Sequence, residues 1–110
     1  MELSKKITLL ETLSSERVQR TELFYEVLQE CGDLKFNYHE YASELPINCD
    51  RELLRLPTAD YDTCCALLTM LLREDHFSNG SFEERQLNGE VKPIIDRMIS
   101  LLWVRHDCSG

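Results

Sequence analysis

Apolar residues recur along this chain with a spacing near 3.6 rather than 2, in stretches separated by only a few backbone breakers. Ile7, Leu10 and Leu13 fall on one side of a first helix that Ser4 can cap, and Ser14-Ser15 either ends it or caps the next. From Ser15 to Cys31 the positions Val18, Phe24, Tyr25, Val27, Leu28 and Cys31 hold a helical stripe, and Gly32 stands where a left-handed C-terminal cap belongs. Asp33-Leu34-Lys35-Phe36 reads as a short extended link. Asn37 with Glu40 three residues later predicts a reciprocal cap on a short helix that carries Tyr38, Tyr41 and Ala42 and is closed by Pro46. Asp50 can cap another short helix through Leu53, Leu54 and Leu56, which Pro57 ends.

The strongest apolar segment runs from about Asp60 to Glu74. Tyr61, Cys64, Cys65, Leu68, Leu71 and Leu72 form its stripe, and Leu67 and Met70 widen it, which predicts a central helix contacted on several sides. Asn79-Gly80 makes a turn. Ser81-Phe82-Glu83-Glu84 has the pattern of a capping box for a short helix that ends at Asn88-Gly89. A last helix starts there, tolerates Pro93 in its first turn, and turns Val91, Ile94, Ile95, Met98, Leu101 and Leu102 to the core.

The expected fold is therefore all-α, a single compact bundle of about five or six helices, several of them short. The 110 residues make one domain, with a helix over 1–14 whose packing the pattern does not define and a mobile tail over 106–110. Composition agrees: the chain has only 4 Gly and 3 Pro, too few for the tight turns of a β-sandwich. Its apolar share of 43% is that of an ordinary globular chain. The longest apolar run, Cys64 to Leu72, is broken by Thr69 and falls well short of a membrane span, and Glu11 cuts off the N-terminal run too early for a signal peptide. A cytoplasmic protein with no membrane contact is expected.

Charge changes the picture further. The formal net charge is -8, and ten carboxylates lie between Thr21 and Asp62 against Lys35, Arg51 and Arg55. This argues against a protein that binds nucleic acid by neutralising phosphates. The five cysteines, Cys31, Cys49, Cys64, Cys65 and Cys108, show no repeated spacing, and free thiols acting as small apolar groups are expected. His39, His76 and His106 lack the spacing of a zinc site, even with the cysteines added, and His106-Asp107-Cys108 is the closest grouping. Cys64 and Cys65 lie on an apolar stripe, a poor setting for a thiolate nucleophile, and the chain has no Gly-x-Ser-x-Gly and no phosphate-binding glycine loop. No cofactor, no metal and no catalysis are expected.

Two blocks resemble a small bacterial family of uncharacterised domains. The first is Phe24-Tyr25-Glu26 with Phe36-Asn37-Tyr38-His39-Glu40-Tyr41-Ala42-Ser43-Glu44, similar to a family pattern Phe-Asp-Trp-x-x-Trp-x-x-Glu; Asn37 takes the Asp place, and Tyr38 and Tyr41 take the Trp places. The second is Leu67-Leu68-Thr69, Arg73, Asp75, Phe77, Gly80, Gly89, Ile94-Ile95, Arg97 and Met98, similar to Leu-Leu-Thr-x-x-x-Arg-x-(Glu/Asp)-Arg-Phe-x-x-Gly followed by a second Gly and Leu-Leu-x-Arg-Leu, with His76 where the family more often has Arg. The resemblance covers roughly the last four fifths of the chain. It implies a common fold and no particular activity.

Three features can carry function. Arg73, Asp75, His76 and Phe77, with Arg97, form a candidate ligand or interaction site in which Arg73 grips an anion and Asp75 orients His76; the competing reading is a polar clamp that ties the helix end to Arg97 or to the following turn. Glu22, Glu26 and Glu30 line one helix face, either simply solvated or meeting a basic partner. Trp103 reads equally as the last core residue or as an interface residue beside Leu102 and Val104. The first functional expectation is a non-catalytic protein interaction or accessory module with an unidentified protein partner, a basic one where the acidic face is the surface used. The alternative is an acidic inhibitor or nucleic-acid mimic from a mobile element, and a weaker one is a small enzyme or ligand-binding domain centred on Arg73, Asp75 and His76.

Overall fold

A helix whose middle is apolar on every side must be surrounded, and the segment from Asp60 to Glu74 has that property. In the computed structural model, which describes the backbone of residues 2–109 and the side chains of 2–104, six α-helices and no strand are present among the described residues. They are α1 (Leu3–Ser14), α2 (Thr21–Cys31), α3 (Cys49–Leu53), α4 (Tyr61–Phe77), α5 (Ser81–Leu87) and α6 (Lys92–Ser109), with 3₁₀ turns at Tyr38–Tyr41 and Leu56–Thr58. Every residue of α4 from Cys64 to Leu72 is buried. Helices α3, α5 and α6 and the Tyr38–Tyr41 turn pack against α4, while α1 closes the bundle against α6 and α2. The long α6 runs to Ser109, through most of the segment in which a mobile tail is predicted; the side chains of 105–110, and so the proposed His106-Asp107-Cys108 grouping, lie outside the described residues.

The polar residues inside this frame are there to tie helices together. Thr69 sits in the buried run of α4 because its hydroxyl is doubly used: it donates to the Cys65 carbonyl at 2.8 Å and accepts the Lys35 amide at 3.2 Å. Asp33, 6% exposed, accepts the Tyr61 hydroxyl at 2.5 Å and pairs with the Lys6 ammonium at 3.1 Å, so α1, the end of α2 and the start of α4 meet on one carboxylate. Lys6 also lies 4.9 Å from the centre of the Tyr61 ring. Phe24 of α2 and Phe82 of α5 meet edge to face at 4.7 Å.

Several boundaries differ from those the residue pattern predicts. Helix α1 begins at Leu3 behind Glu2, so Ser4 lies inside the first turn, where its carbonyl accepts the Thr8 hydroxyl. Helix α2 begins at Thr21 rather than Ser15. Residues 15–20 leave the helix because the buried Gln86 side chain holds the Gln19 backbone in both directions, accepting its amide at 2.7 Å and donating to its carbonyl at 2.9 Å. The end of α2 is as expected: Gly32 has φ of 74°, and the Asp33 amide reaches back to the Leu28 carbonyl at 2.8 Å. The Asn37 side chain bonds to the Glu40 carboxylate at 2.7 Å and caps no backbone amide, and the segment forms a single 3₁₀ turn.

Helix α3 is capped by Asn48, which accepts the Arg51 amide at 3.2 Å, rather than by Asp50. It ends at Leu53, short of the predicted Leu56, and Leu54 just after it is 79% exposed. Pro57 lies within the second 3₁₀ turn, and Asp60 caps α4 by accepting the Thr63 amide at 2.8 Å. The irregular stretch before α3 is held by Glu52, 1% exposed, which accepts the Ser43 amide and hydroxyl, each at 2.7 Å, and pairs with Arg55 at 3.1 Å.

Replacing Asp33 by Ala takes the acceptor from the Tyr61 hydroxyl and the counter-charge from Lys6. Denaturant unfolding should show a loss of about 3 kcal/mol, the low end for breaking a buried pair because Lys6 is near the surface. A loss below about 1 kcal/mol would contradict the three-helix tie.

Candidate functional site

Helix α4 extends past Glu74 to Phe77, which sets the geometry of the predicted site. Asp75 is half-buried and points at the turn after the helix: its Oδ1 accepts the Gly80 amide at 3.1 Å and the Phe82 amide at 3.0 Å. Gly80, at φ 92°, occupies the left-handed region that the turn requires, and it rather than Ser81 stands before the first residue of α5. The capping role that the pattern gives to Ser81 is therefore filled from outside the helix by Asp75.

Arg73, His76 and Phe77 are exposed, Phe77 by 82%, and the His76 and Phe77 rings meet edge to face at 5.2 Å. No hydrogen bond joins Asp75 to His76 among the described residues, as expected of consecutive helical positions that face different ways. Arg97 is elsewhere. Its Nε donates to the Ala59 carbonyl at 2.7 Å, before the start of α4, and Arg73 lies about 20 Å away at about 1.5 Å per residue. Of the two ties predicted for the clamp, the one to the following turn forms through Asp75 and the one to Arg97 does not.

The structure brings together residues that the sequence keeps apart. Glu22 and Tyr25 of α2, Asp75 and His76 of α4, and Glu83 of α5 line one open cleft of about 320 Å³, whose lining has three carboxylates and no Lys or Arg. The Tyr25 hydroxyl donates to the Leu72 carbonyl at 3.2 Å and so fixes α2 to the end of α4; burial pushes its phenol up, with nearby Arg73 acting the other way. Glu22, Glu26 and Glu30 are all exposed and make no ion pair among the described residues.

A second charged cluster was not anticipated. Arg85 grips Glu74 with two donors, Nε at 2.6 Å and Nη2 at 2.9 Å, while its Nη1 reaches Asp50 at 3.0 Å and Glu90 at 3.3 Å. One guanidinium thus joins α3, α4, α5 and the connection to α6. Its position was open to inference, because Phe82, Arg85 and Gln86 stand three and four residues apart and share the inward side of α5. The carboxylate partners come from distant segments and carry no such signal.

The thiols of Cys31, Cys49, Cys64 and Cys65 are all held toward the protonated form. Burial pushes Cys64 up to about 11, Cys65 higher still and Cys49 up to about 12, so none is a thiolate near neutrality. Among the described residues no group of three or more His, Cys, Asp or Glu can hold a metal ion. Among the described residues no helix is long and apolar enough to cross a membrane.

Fold and surface together define an all-helical domain whose buried polar groups join helices and whose open carboxylate face looks outward. A family model described as "Family of unknown function (DUF6508)" matches residues 5–102, and the chain belongs to that family. The match extends into α1, beyond the last four fifths that the resemblance covers. No curated protein and no solved structure matches the chain.

Two outcomes follow from these ties. Asp75→Ala should cost about 1–2 kcal/mol in unfolding experiments, as loss of a helix cap does, while Arg73→Ala stays within about 0.5 kcal/mol; equal effects would contradict the clamp. The hydrogen bonds from Arg85 hold the Glu74 carboxyl below the usual carboxylate range, so Glu74 stabilises the fold above its unfolded pKa and loses that contribution as pH falls through the folded one. Arg85→Met leaves three carboxylates facing one another. It should destabilise by about 2 kcal/mol at neutral pH, and the gap to the parent should narrow on acidification in pH-dependent unfolding. A gap independent of pH would contradict the hub.

Proposed function

We propose that this is a non-catalytic interaction or accessory module that docks a basic protein segment across the outer face of α2 and the cleft where α4 and α5 meet. The observation that carries this reading is the convergence of Glu22, Asp75 and Glu83 in a cleft lined by no Lys or Arg, continuous with Glu26 and Glu30 along α2. A partner lysine or arginine entering the cleft would meet carboxylates together with the Tyr25 side chain, and the row along α2 would steer its approach. Phe77, 82% exposed against the ring of the cleft residue His76, adds a large apolar contact next to the cleft.

Charge density favours a basic protein over mimicry of nucleic acid. Glu22 to Glu30 spans about 12 Å of helix axis, over which a DNA duplex would present about seven phosphates. Three carboxylates on this face fall well below that density.

The partner, captured from a native extract and purified, should bind with an affinity that weakens steeply as salt rises. Changing Glu22, Glu26 and Glu30 together to Gln should weaken binding by about tenfold or more and flatten the salt dependence. It should leave unfolding unchanged or slightly harder, because like-charge repulsion of about 0.2–0.5 kcal/mol per pair is removed. Recovery of no stoichiometric partner at physiological salt, or binding indifferent to both salt and the triple change, would contradict the proposal.

A further inference from the structure

On the side of the bundle formed by α1, α5 and α6, the end of α1, the end of α5 and the start of α6 enclose a half-open cleft of about 420 Å³, within the usual range of small-molecule sites. Its floor is apolar and closed, Leu13, Phe24, Val91 and Ile95 each being at most 3% exposed, and the open apolar surface of the lining comes from Leu87, 46% exposed. One wall is fixed in place, because Gln86, 7% exposed, holds the Gln19 backbone through both its oxygen and its nitrogen. The rim is basic. Arg17 donates one Nη2 hydrogen to the Leu87 carbonyl at 3.2 Å, which leaves the rest of its donor fork free for another acceptor.

Lys92 opens the 18-residue α6, and its backbone amide makes no hydrogen bond among the described residues. The amide therefore adds a donor at the positive end of a long helix. The Lys92 ammonium rests on Asp96 at 2.9 Å, an exposed pair worth little, so it can turn to a bound anion.

Charge distinguishes this cleft from the others. Its lining has two basic side chains, Arg17 and Lys92, against the one carboxylate of Glu16, with Asp96 paired to Lys92 just outside it, on a chain of net charge -8. Four further clefts among the described residues are neutral or acidic, including the one at Glu22, Asp75 and Glu83. We infer that this cleft binds a small amphipathic anion, with a short apolar tail over Leu13, Phe24, Val91 and Ile95 and a carboxylate head between Arg17 and Lys92. The site uses no residue of the acidic face of α2, so the two can fail separately.

The probe is octanoate, followed by amide chemical shifts of the labelled full chain, with octan-1-ol as the same tail without the charge. Octanoate should move resonances of residues 13–17 and 86–95 in a saturable way, and octan-1-ol should bind more weakly by about tenfold or more. Arg17→Gln and Lys92→Gln, both at exposed positions, should each weaken octanoate severalfold and leave octan-1-ol unchanged. Ser14→Phe, which fills the cleft from its edge, should abolish both. Shifts scattered over the molecule, no saturable shift at millimolar octanoate, or equal binding of acid and alcohol would overturn the assignment.

Discussion

The middle of α4 has no solvent face. From Cys64 to Leu72 nine consecutive residues are buried, and at about 3.6 residues per turn that is two and a half turns closed off on every side. A helix in that position cannot present chemistry along its length. It can only organise what surrounds it, and the other elements give up one face each to cover it: α3 and the Tyr38–Tyr41 turn, α5, and α6. What is left for function is the ends of α4 and the outer faces of the helices around it. The acidic cleft lies at the C-terminal end of α4, the Arg97 contact with Ala59 lies at the other, and the basic-rimmed cleft is bounded by α1, α5 and α6.

Close burial of α4 also determines where polar groups go inside the fold. Asp33, Glu52, Thr69 and Gln86 are buried, and each satisfies hydrogen bonds from segments far apart in the chain. Such groups are costly when unpaired and specific when paired, so they fix the loops that the short helices cannot fix by packing alone. Asp75 and Arg85 do the same at the surface. Two residues of the predicted site are therefore drawn into structural duties, Asp75 holding a turn and Arg97 the entrance to α4, while Arg73, the guanidinium expected to grip an anion, stays exposed. The exposed carboxylates of α2 have no such duty among the described residues, and through Glu22 they adjoin the cleft on which the proposed function rests.

How much of this was legible in the sequence follows from the range of the forces involved. Periodicity and caps are local, and the helix class, the central position of α4, the end of α2 at Gly32 and the Asn79-Gly80 turn are all written in neighbouring residues. Where a tertiary contact competes with a local signal, the local signal loses. Ser15 does not start α2, because Gln86, far along the chain, takes the Gln19 backbone. Ser81 does not cap α5, because Asp75 reaches its amides first. Asp50 does not cap α3, because its carboxylate goes to Arg85. The candidate site was legible in part for the same reason. Asp75, His76 and Phe77 stand together in sequence, but their joining with Glu22, Tyr25 and Glu83 depends on how α2 and α5 dock, and no local pattern encodes that.

The dominance of α4 is the claim on which the rest depends, and native-state hydrogen exchange tests it directly. The account predicts that the amides of Cys64 to Leu72 exchange only through global unfolding, with the slowest rates in the molecule, while α3 and the turn after Phe77 open locally and faster. Exchange of the middle of α4 by a route easier than global unfolding, or slower exchange in α2 or α6 than in α4, would contradict it.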